Sequence, residues 1–197
     1  MSSVVISGDT SGSITLQAPA VAGSSVLTLP TGTGTVTVAG VNSTLVSGTA
    51  QATTSGTFKD FTGLPSWVER VTVMFSGVST SSTAFKLIQL IHSGGTVTAT
   101  GYNSTSVRMN TTSMAQSNET TGFFINNNLA TDALDGFYQF TNLNGNIWVG
   151  SGSMSAATTG YSMAGGVTLA GVLSGIRITT VGGANTFDAG TINILYE

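Results

Sequence analysis

Hydrophobic and polar positions alternate with a period of two over many short runs of this chain. In the run WVERVTVMF (67–75), for example, Val71, Val73 and Phe75 share one face, and Arg70 and Thr72 lie on the other. No window shows the sustained 3.6-residue period between caps that is typical of a helix. The pattern therefore predicts an all-β chain, with short strands separated by clusters of Gly, Asn and Ser.

Ten candidate strands fall in the C-terminal part of the chain and predict a compact β-sandwich of jelly-roll type. They are residues 67–75, 84–92, 96–102, 106–110, 121–125, 136–141, 146–150, 166–170, 174–180 and 190–196. The run 84–92 (AFKLIQLIH) is apolar on both faces. Such a strand is either central in a sheet or part of a contact between subunits.

Composition divides the chain into three segments. Residues 1–40 show very short alternating runs separated by Gly and Pro. Forty such residues are too few to bury a core alone, so they are predicted to form an attachment segment or an intertwined shaft. Their runs are 13–19, 25–30 and 33–38. Residues 41–56 (VNSTLVSGTAQATTSG) are small and polar and are predicted to be a linker, with a continuation of the shaft as the alternative. Residues 57–197 are the predicted sandwich domain.

Charged residues are scarce. They make up 7% of the 197 residues, whereas soluble domains usually carry about 25%. Apolar residues amount to 40%, which is enough for a core. A β protein with few surface charges exposes edges and faces that pair with other chains. The composition therefore predicts a closed, symmetric oligomer that covers those surfaces.

Several classes of protein are excluded by what the sequence lacks. Its five basic residues are scattered, so no stripe is available for phosphates and we expect no nucleic-acid partner. Cysteine is absent, which excludes disulfides and Cys-based zinc sites. The N-terminus has no basic region followed by an apolar one, and no apolar run reaches the length of a membrane span. We expect no signal peptide, no membrane insertion and no cofactor.

Catalytic patterns are also missing. His92 is the only histidine, it ends an apolar run, and no G-x-S-x-G motif accompanies it, so it is predicted to be a structural residue at a strand end. Asp132 and Asp135 are the closest carboxylate pair, and a glycan-cleaving enzyme needs two carboxylates in one cleft. We interpret them as part of a polar loop ending in an Asp-Gly turn, with a calcium site as the alternative. The sequence predicts no catalytic residues, no metal site and no enzymatic activity, a small depolymerase being the competing hypothesis.

Two stretches of the chain carry a family resemblance. The opening GDTSGSITLQAPAVAGSSVLTLP resembles an N-terminal segment of structural proteins of tailed bacteriophages, including cyanophages. The stretches FTGLPSWVERVTVMFSGVSTSS and LSGIRITTVGGANTFDAGTINILYE resemble the C-terminal domain of phage fibre-type proteins. Together the similar regions cover about residues 1–38 and 56–197.

The resemblance implies a bacteriophage virion fibre, most commonly a homotrimer, made in the host cytoplasm. It implies that residues 1–40 attach to another virion protein, either a tail hub or adaptor or the major capsid protein. The C-terminal domain would then face outward and bind a host surface polysaccharide. A capsid decoration or cement protein with the same fold is the alternative.

Aromatic residues are the candidates for such receptor binding, because sugars stack on aromatic faces. Tyr102, Trp148 and Tyr161 lie near Gly-, Ser- and Asn-rich segments, and residues 102–120 and 151–165 are predicted to be exposed recognition loops. Core packing is the alternative for Trp148.

Other side chains are assigned structural roles. Trp67 follows a proline and opens an apolar strand, so we expect it in the core. The charged residues on predicted strands are expected to form ion pairs between subunits that fix the register. They are Glu69, Arg70, Lys86 and Arg177.

Overall fold

The alternating runs form antiparallel strands in the computed structural model, which describes residues 3–7, 13–17 and 45–197. The all-β prediction is confirmed. The strands are β1 (Ser3–Ser7), β2 (Ser13–Gln17), β3 (Val46–Ser47), β4 (Gln51–Ala52), β5 (Lys59–Thr62), β6 (Arg70–Thr80), β7 (Lys86–His92), β8 (Thr96–Val97), β9 (Asn103–Met109), β10 (Met114–Glu119), β11 (Phe123–Ile125), β12 (Leu134–Asn144), β13 (Ile147–Ala156), β14 (Thr159–Thr168), β15 (Leu173–Thr180) and β16 (Phe187–Tyr196).

Residues 45–197 form two antiparallel sheets. The large sheet has the order β10-β9-β14-β13-β12-β6-β16-β3, and β4 also pairs with β16. The small sheet has the order β11-β7-β15-β5, and β8 pairs with β7. The predicted sandwich is thus confirmed as two antiparallel sheets that share one core.

Aromatic side chains join the inner faces of the two sheets. The ring centroid of Phe123, on β11 of the small sheet, lies 4.7 Å from that of Phe140 and 5.4 Å from that of Tyr138, both on β12 of the large sheet. Tyr102 meets the same Phe123 ring edge to face at 5.1 Å. These tilted contacts are favourable for aromatic quadrupoles. Trp67, expected in the core, is half-buried at its margin and packs against Tyr196.

Strand β7 is buried on both faces, as the sequence predicts for a central strand. It lies between β11 and β15, with β8 paired to one end. Ile88 and Leu90 belong to the core between the sheets, whereas Leu87 and Ile91 are buried outside that cluster. Because side chains alternate along a strand, Lys86 points in the same direction as Ile88 and Leu90.

The predicted linker at 41–56 is wrong over the part that the structure describes. Strands β3 and β4 pair with β16, and the buried Thr53 donates its hydroxyl hydrogen to the carbonyl oxygen of Ala189 at 2.7 Å. The sequence does not reveal these strands because each has only two residues, too few to show alternation.

The N-terminal unit forms a separate antiparallel hairpin of β1 and β2, in which Val4 pairs with Leu16. Strand β1 was not predicted, and β2 confirms the first predicted run. The runs predicted at 25–30 and 33–38 lie outside the described residues. Within the part of the chain that the structure describes, no helix is long and apolar enough to cross a membrane.

Gly136 provides a test of the packing between β12 and β13. Its φ is +136°, and a Cβ added there would lie 2.5 Å from the carbonyl oxygen of Ser153. We expect Gly136→Ala to lower the free energy of unfolding by about 3 kcal/mol, because both the backbone conformation and the strand spacing must change.

Gly145→Ala is the matched control, since Gly145 has a φ of +57° but nothing within 4 Å of the added Cβ. It should cost only about 1–2 kcal/mol. Urea unfolding of both variants at one protein concentration measures the difference, and equal losses would contradict the steric explanation.

Candidate functional site

The three aromatic residues predicted to bind a receptor are buried. Tyr102, Trp148 and Tyr161 are exposed by only 3%, 1% and 2% of their surfaces. The prediction that these residues are exposed, on which their role in receptor binding depended, is therefore wrong. For Trp148 the alternative of core packing is confirmed. In the described chain none of the three can stack on a sugar from solvent.

The predicted loops that were to present these residues are strands. Residues 102–120 contain the hairpin of β9 and β10, and residues 151–165 contain the pairing of β13 with β14. On β13 and β14, Ser, Gly and Ala residues occupy much of the outward face, while Trp148 and Tyr161 lie on the inward face. Strands β9 and β10 carry no aromatic residue, and Tyr102 immediately precedes β9. The mixture has the composition of a loop, but the alternation turns each aromatic ring toward the core.

A polar cluster lies in the interior of the sandwich, at the end of β7 where Lys86 begins the strand. The amine of Lys86 donates a hydrogen bond to Oδ1 of Asn127, and both residues are fully buried. Asn127 Nδ2 donates to Oδ2 of Asp132 at 3.1 Å and to the hydroxyl oxygen of Tyr161 at 2.9 Å. The Tyr161 hydroxyl in turn donates to Asp132 Oδ2 at 3.3 Å. The four side chains form one connected network.

Three separate parts of the fold supply this network. Lys86 comes from β7 of the small sheet, and Tyr161 comes from β14 of the large sheet. Asn127 and Asp132 lie on the connection between β11 and β12. The network thus links the two sheets through polar contacts inside a core that is mostly apolar.

Burial controls the protonation of the cluster. Loss of water around Lys86 lowers the pKa of its amine to about 8, although the carboxylates of Asp132 and Asp188 act in the opposite direction. Burial likewise raises the pKa of the Tyr161 hydroxyl, which keeps it a neutral hydrogen-bond donor. The lysine of this cluster therefore loses its proton, and becomes an uncharged amine, at a lower pH than an ordinary lysine.

The other predicted ion pairs form within one chain. Arg177 makes a two-point contact with Asp60, at 2.8 Å from Nε to Oδ1 and 2.7 Å from Nη2 to Oδ2, and this hydrogen bonding raises the pKa of the guanidinium. Arg70 pairs with Glu197. Glu69 makes no ion pair among the described residues. Arg70 and Arg177 therefore each have a partner within the chain, and ion pairs between subunits stay a prediction.

The remaining candidates occupy structural positions. His92 ends β7, as predicted. Asp132 belongs to the buried network, while Asp135 is exposed on β12 and accepts a hydrogen bond from the backbone N–H of Gly77 at 2.9 Å. The loop prediction is thus correct for Asp132 only. Across the described segments, no group of three or more acidic or histidine side chains could hold a metal ion.

The outer face of the large sheet is unusually poor in charge. Side chains opposite one another on neighbouring strands form rows across the sheet, and the two central rows contain no charged residue. The first row is Asn118, Thr105, Ala164, Ser151, Gln139, Thr72 and Leu195. The second row is Gln116, Val107, Ser162, Ser153, Phe137, Met74 and Asn193.

We call these two rows the neutral face. Charges appear only in the flanking rows, where Arg70 and Asp135 lie on strands β6 and β12. Phe137 is exposed by 48% although it is large and apolar. A shallow depression of about 370 Å³ lies along the first row, lined by Gln139, Ser151 and Ala164 among others. The neutral face combines exposed apolar area with small side chains that allow close approach.

Comparisons with known proteins add no relative, because no family model, no curated protein and no solved structure matches the chain.

Tyr102 tests the structural role that its burial implies. Its hydroxyl oxygen accepts the backbone N–H of Leu90 at 2.8 Å and its hydroxyl hydrogen is donated to the carbonyl oxygen of Thr98 at 3.0 Å. Tyr102→Phe leaves a buried N–H unpaired, so the free energy of unfolding should fall by about 1–3 kcal/mol.

Tyr138→Phe is the matched control, because that buried hydroxyl makes only a long contact of 3.4 Å to the carbonyl oxygen of Gly150. We expect it to cost less than about 1 kcal/mol. Both values come from urea unfolding. A Tyr102→Phe variant as stable as the parent chain would refute the role assigned to this hydroxyl.

Proposed function

We propose that this protein is a non-enzymatic structural protein of a bacteriophage virion, of the fibre type, which assembles as a homotrimer through its neutral face. Residues 1–40 attach it to another virion protein, and the sandwich is displayed toward a host surface glycan. The observation that carries the proposal is the uncharged pair of rows on the outer face of the large sheet.

The physical argument concerns the cost of leaving such a face in water. Exposed charges normally keep monomeric β proteins apart. When such charges are absent, apolar side chains on the face of a sheet favour association. Phe137 and Met74 face each other across β12 and β6 and supply apolar area, while Ser151 and Ala164 allow close approach. A second copy of the same chain is uncharged there too, so neither partner has to bury an unpaired charge.

The sequence resemblance supports the virion part of the proposal, since the N-terminal segment resembles structural proteins of tailed bacteriophages and the C-terminal domain resembles fibre-type proteins. A protein that works by display and attachment requires no bond-breaking chemistry. With Tyr102, Trp148 and Tyr161 buried, glycan binding depends on the resemblance and is assigned to no particular side chain.

Substitution on the neutral face tests the assembly. We expect Phe137→Glu to raise the dissociation constant of the oligomer about tenfold or more, because each contact would bury an unpaired carboxylate. Light scattering coupled to size-exclusion chromatography, run over a concentration series, measures the change.

Leu129→Glu is the matched control, as Leu129 is exposed by the same 48% but lies on the connection between β11 and β12, off the neutral face. It should leave the mass of the oligomer unchanged. A parent chain that stays at 19.9 kDa at every concentration would refute the proposed assembly.

The location on the particle distinguishes a fibre from a capsid decoration protein. Antibody-gold electron microscopy of virions carrying this protein should show label at a fibre. Label spread evenly over the capsid would favour the decoration protein, and particles without label would contradict both.

A further inference from the structure

The buried network brings together three groups that react with one another when water is excluded. Lys86 supplies a nucleophilic amine, Asn127 a side-chain carboxamide, and Asp132 a carboxylate. The amine contacts Oδ1 of the carboxamide, and the carboxylate accepts a hydrogen bond at 3.1 Å from its Nδ2. Both of these atoms are bonded to Cγ of Asn127, so the amine and the carboxylate each contact an atom bonded to that carbon.

We propose that Lys86 and Asn127 become joined by an intramolecular isopeptide bond between Nζ and Cγ, formed after folding with Asp132 as the proton carrier. The bond would connect β7 with the connection between β11 and β12. It would also enclose the chain between two residues that are 41 positions apart in sequence. The inference depends on the network alone and is independent of the proposed virion function.

The reaction balances without any further reagent. The Lys86 ammonium gives one proton to the Asp132 carboxylate, and the resulting neutral amine attacks Cγ of Asn127. The Nζ–Cγ bond forms, Asp132 passes its proton to Nδ2, and the Cγ–Nδ2 bond breaks. A second proton leaves the former amine and follows the same path. Both protons end on the released nitrogen, which departs as ammonium, and Asp132 is again a carboxylate.

The interior of the sandwich favours each step. A carboxamide is a poor electrophile in water, but holding the reacting groups in contact replaces a slow encounter by an intramolecular step. Burial also lowers the pKa of Lys86 to about 8, which makes the neutral amine available near neutral pH. Tyr161 contacts both Asn127 Nδ2 and Asp132 Oδ2 and so holds the leaving group beside the proton carrier. Tyr161 is a positioning residue here.

The competing explanation is that the network is an ordinary satisfied buried lysine. That arrangement requires hydrogen bonds to the amine but no chemistry, and it leaves the covalent structure intact. The two explanations therefore differ in the mass of the folded chain.

The first test is the intact mass of the purified full-length protein after denaturation. We expect a mass lower than that of the sequence by one ammonia molecule. A mass equal to that of the unmodified sequence would overturn the proposal, and this measurement requires no variant to fold.

A tryptic digest then locates the bond. The chain has cleavage sites at Lys86 and at Arg108, so an unlinked chain gives the separate peptides Val71–Lys86, Leu87–Arg108 and Met109–Arg177. A bonded Lys86 is not cleaved, and we expect residues 71–108 to appear as one peptide attached to residues 109–177. A succinimide at an asparagine also loses ammonia, but it leaves Lys86 free for cleavage. That digest pattern would overturn the proposal.

Variants assign the roles. Asp132→Asn keeps the size of the side chain and removes the proton carrier, and Asn127→Ala removes the electrophile, so both should retain the full unmodified mass. Lys59→Arg, at the only other lysine, is the matched control and should still lose one ammonia. An ammonia deficit that persists in Asn127→Ala would place the lost nitrogen elsewhere and refute the assignment.

Discussion

The burial of one amine inside the sandwich is the constraint on which the arrangement of the two sheets depends. An ammonium group removed from water is strongly destabilising unless polar partners surround it, and in this chain Asn127 is the direct partner of Lys86. Asn127 can occupy that position only if the connection after β11 turns inward and if Tyr161 of β14 reaches it. The apolar contacts of Phe123 with β12 would tolerate small sliding motions, whereas the polar contacts specify one position.

Pairing of charges within the chain explains the character of the outer surface. Arg177 is held by Asp60 and also lies over the ring of Phe58, with its central carbon 4.0 Å from the ring centroid. Arg70 is held by Glu197 at the margin of the large sheet. With so few charged residues, these two contacts hold four of them in pairs outside the two central rows. The neutral face is thus a consequence of composition and of where the few charges lie.

Sequence reasoning recovered the fold class and the strands with strong alternation, such as β6 and β15, because their branched and aromatic residues occupy one face. It missed β10 and most of β14, whose residues include Ser162 and Ala164 on the solvent side. Small polar residues have weak strand propensity, and the pairing of a strand between two neighbours overrides it. The aromatic residues were misplaced for the same reason, since a strand that is mistaken for a loop loses its inward face.

Part of the buried network was open to prediction from the sequence. Lys86 lies two residues before Ile88 in a run that is apolar on both faces. Because side chains two residues apart on a strand point to the same face, the sequence already places the Lys86 amine in the core. No local signal identifies Asn127 or Asp132 as its partners, because the pairing spans 41 residues and depends on how the connection after β11 folds. The conflict between an apolar strand and a charged residue within it is nevertheless visible in one sequence. Such local conflicts are expected where a fold carries chemistry in addition to packing.

The network and the neutral face meet on a single strand. On β14, Tyr161 points inward to Asn127, and the next residue, Ser162, belongs to the outer rows. A load applied to an assembled neutral face therefore enters a strand that is tied to β7 through Asn127. If that tie is covalent from Lys86 to Asn127, the small sheet cannot separate from the connection between β11 and β12 without breaking a bond, even where the surrounding hydrogen bonds open. If the protein also assembles through the neutral face, as proposed, the cross-link would lie directly behind the contact surface, where a mechanical load would act.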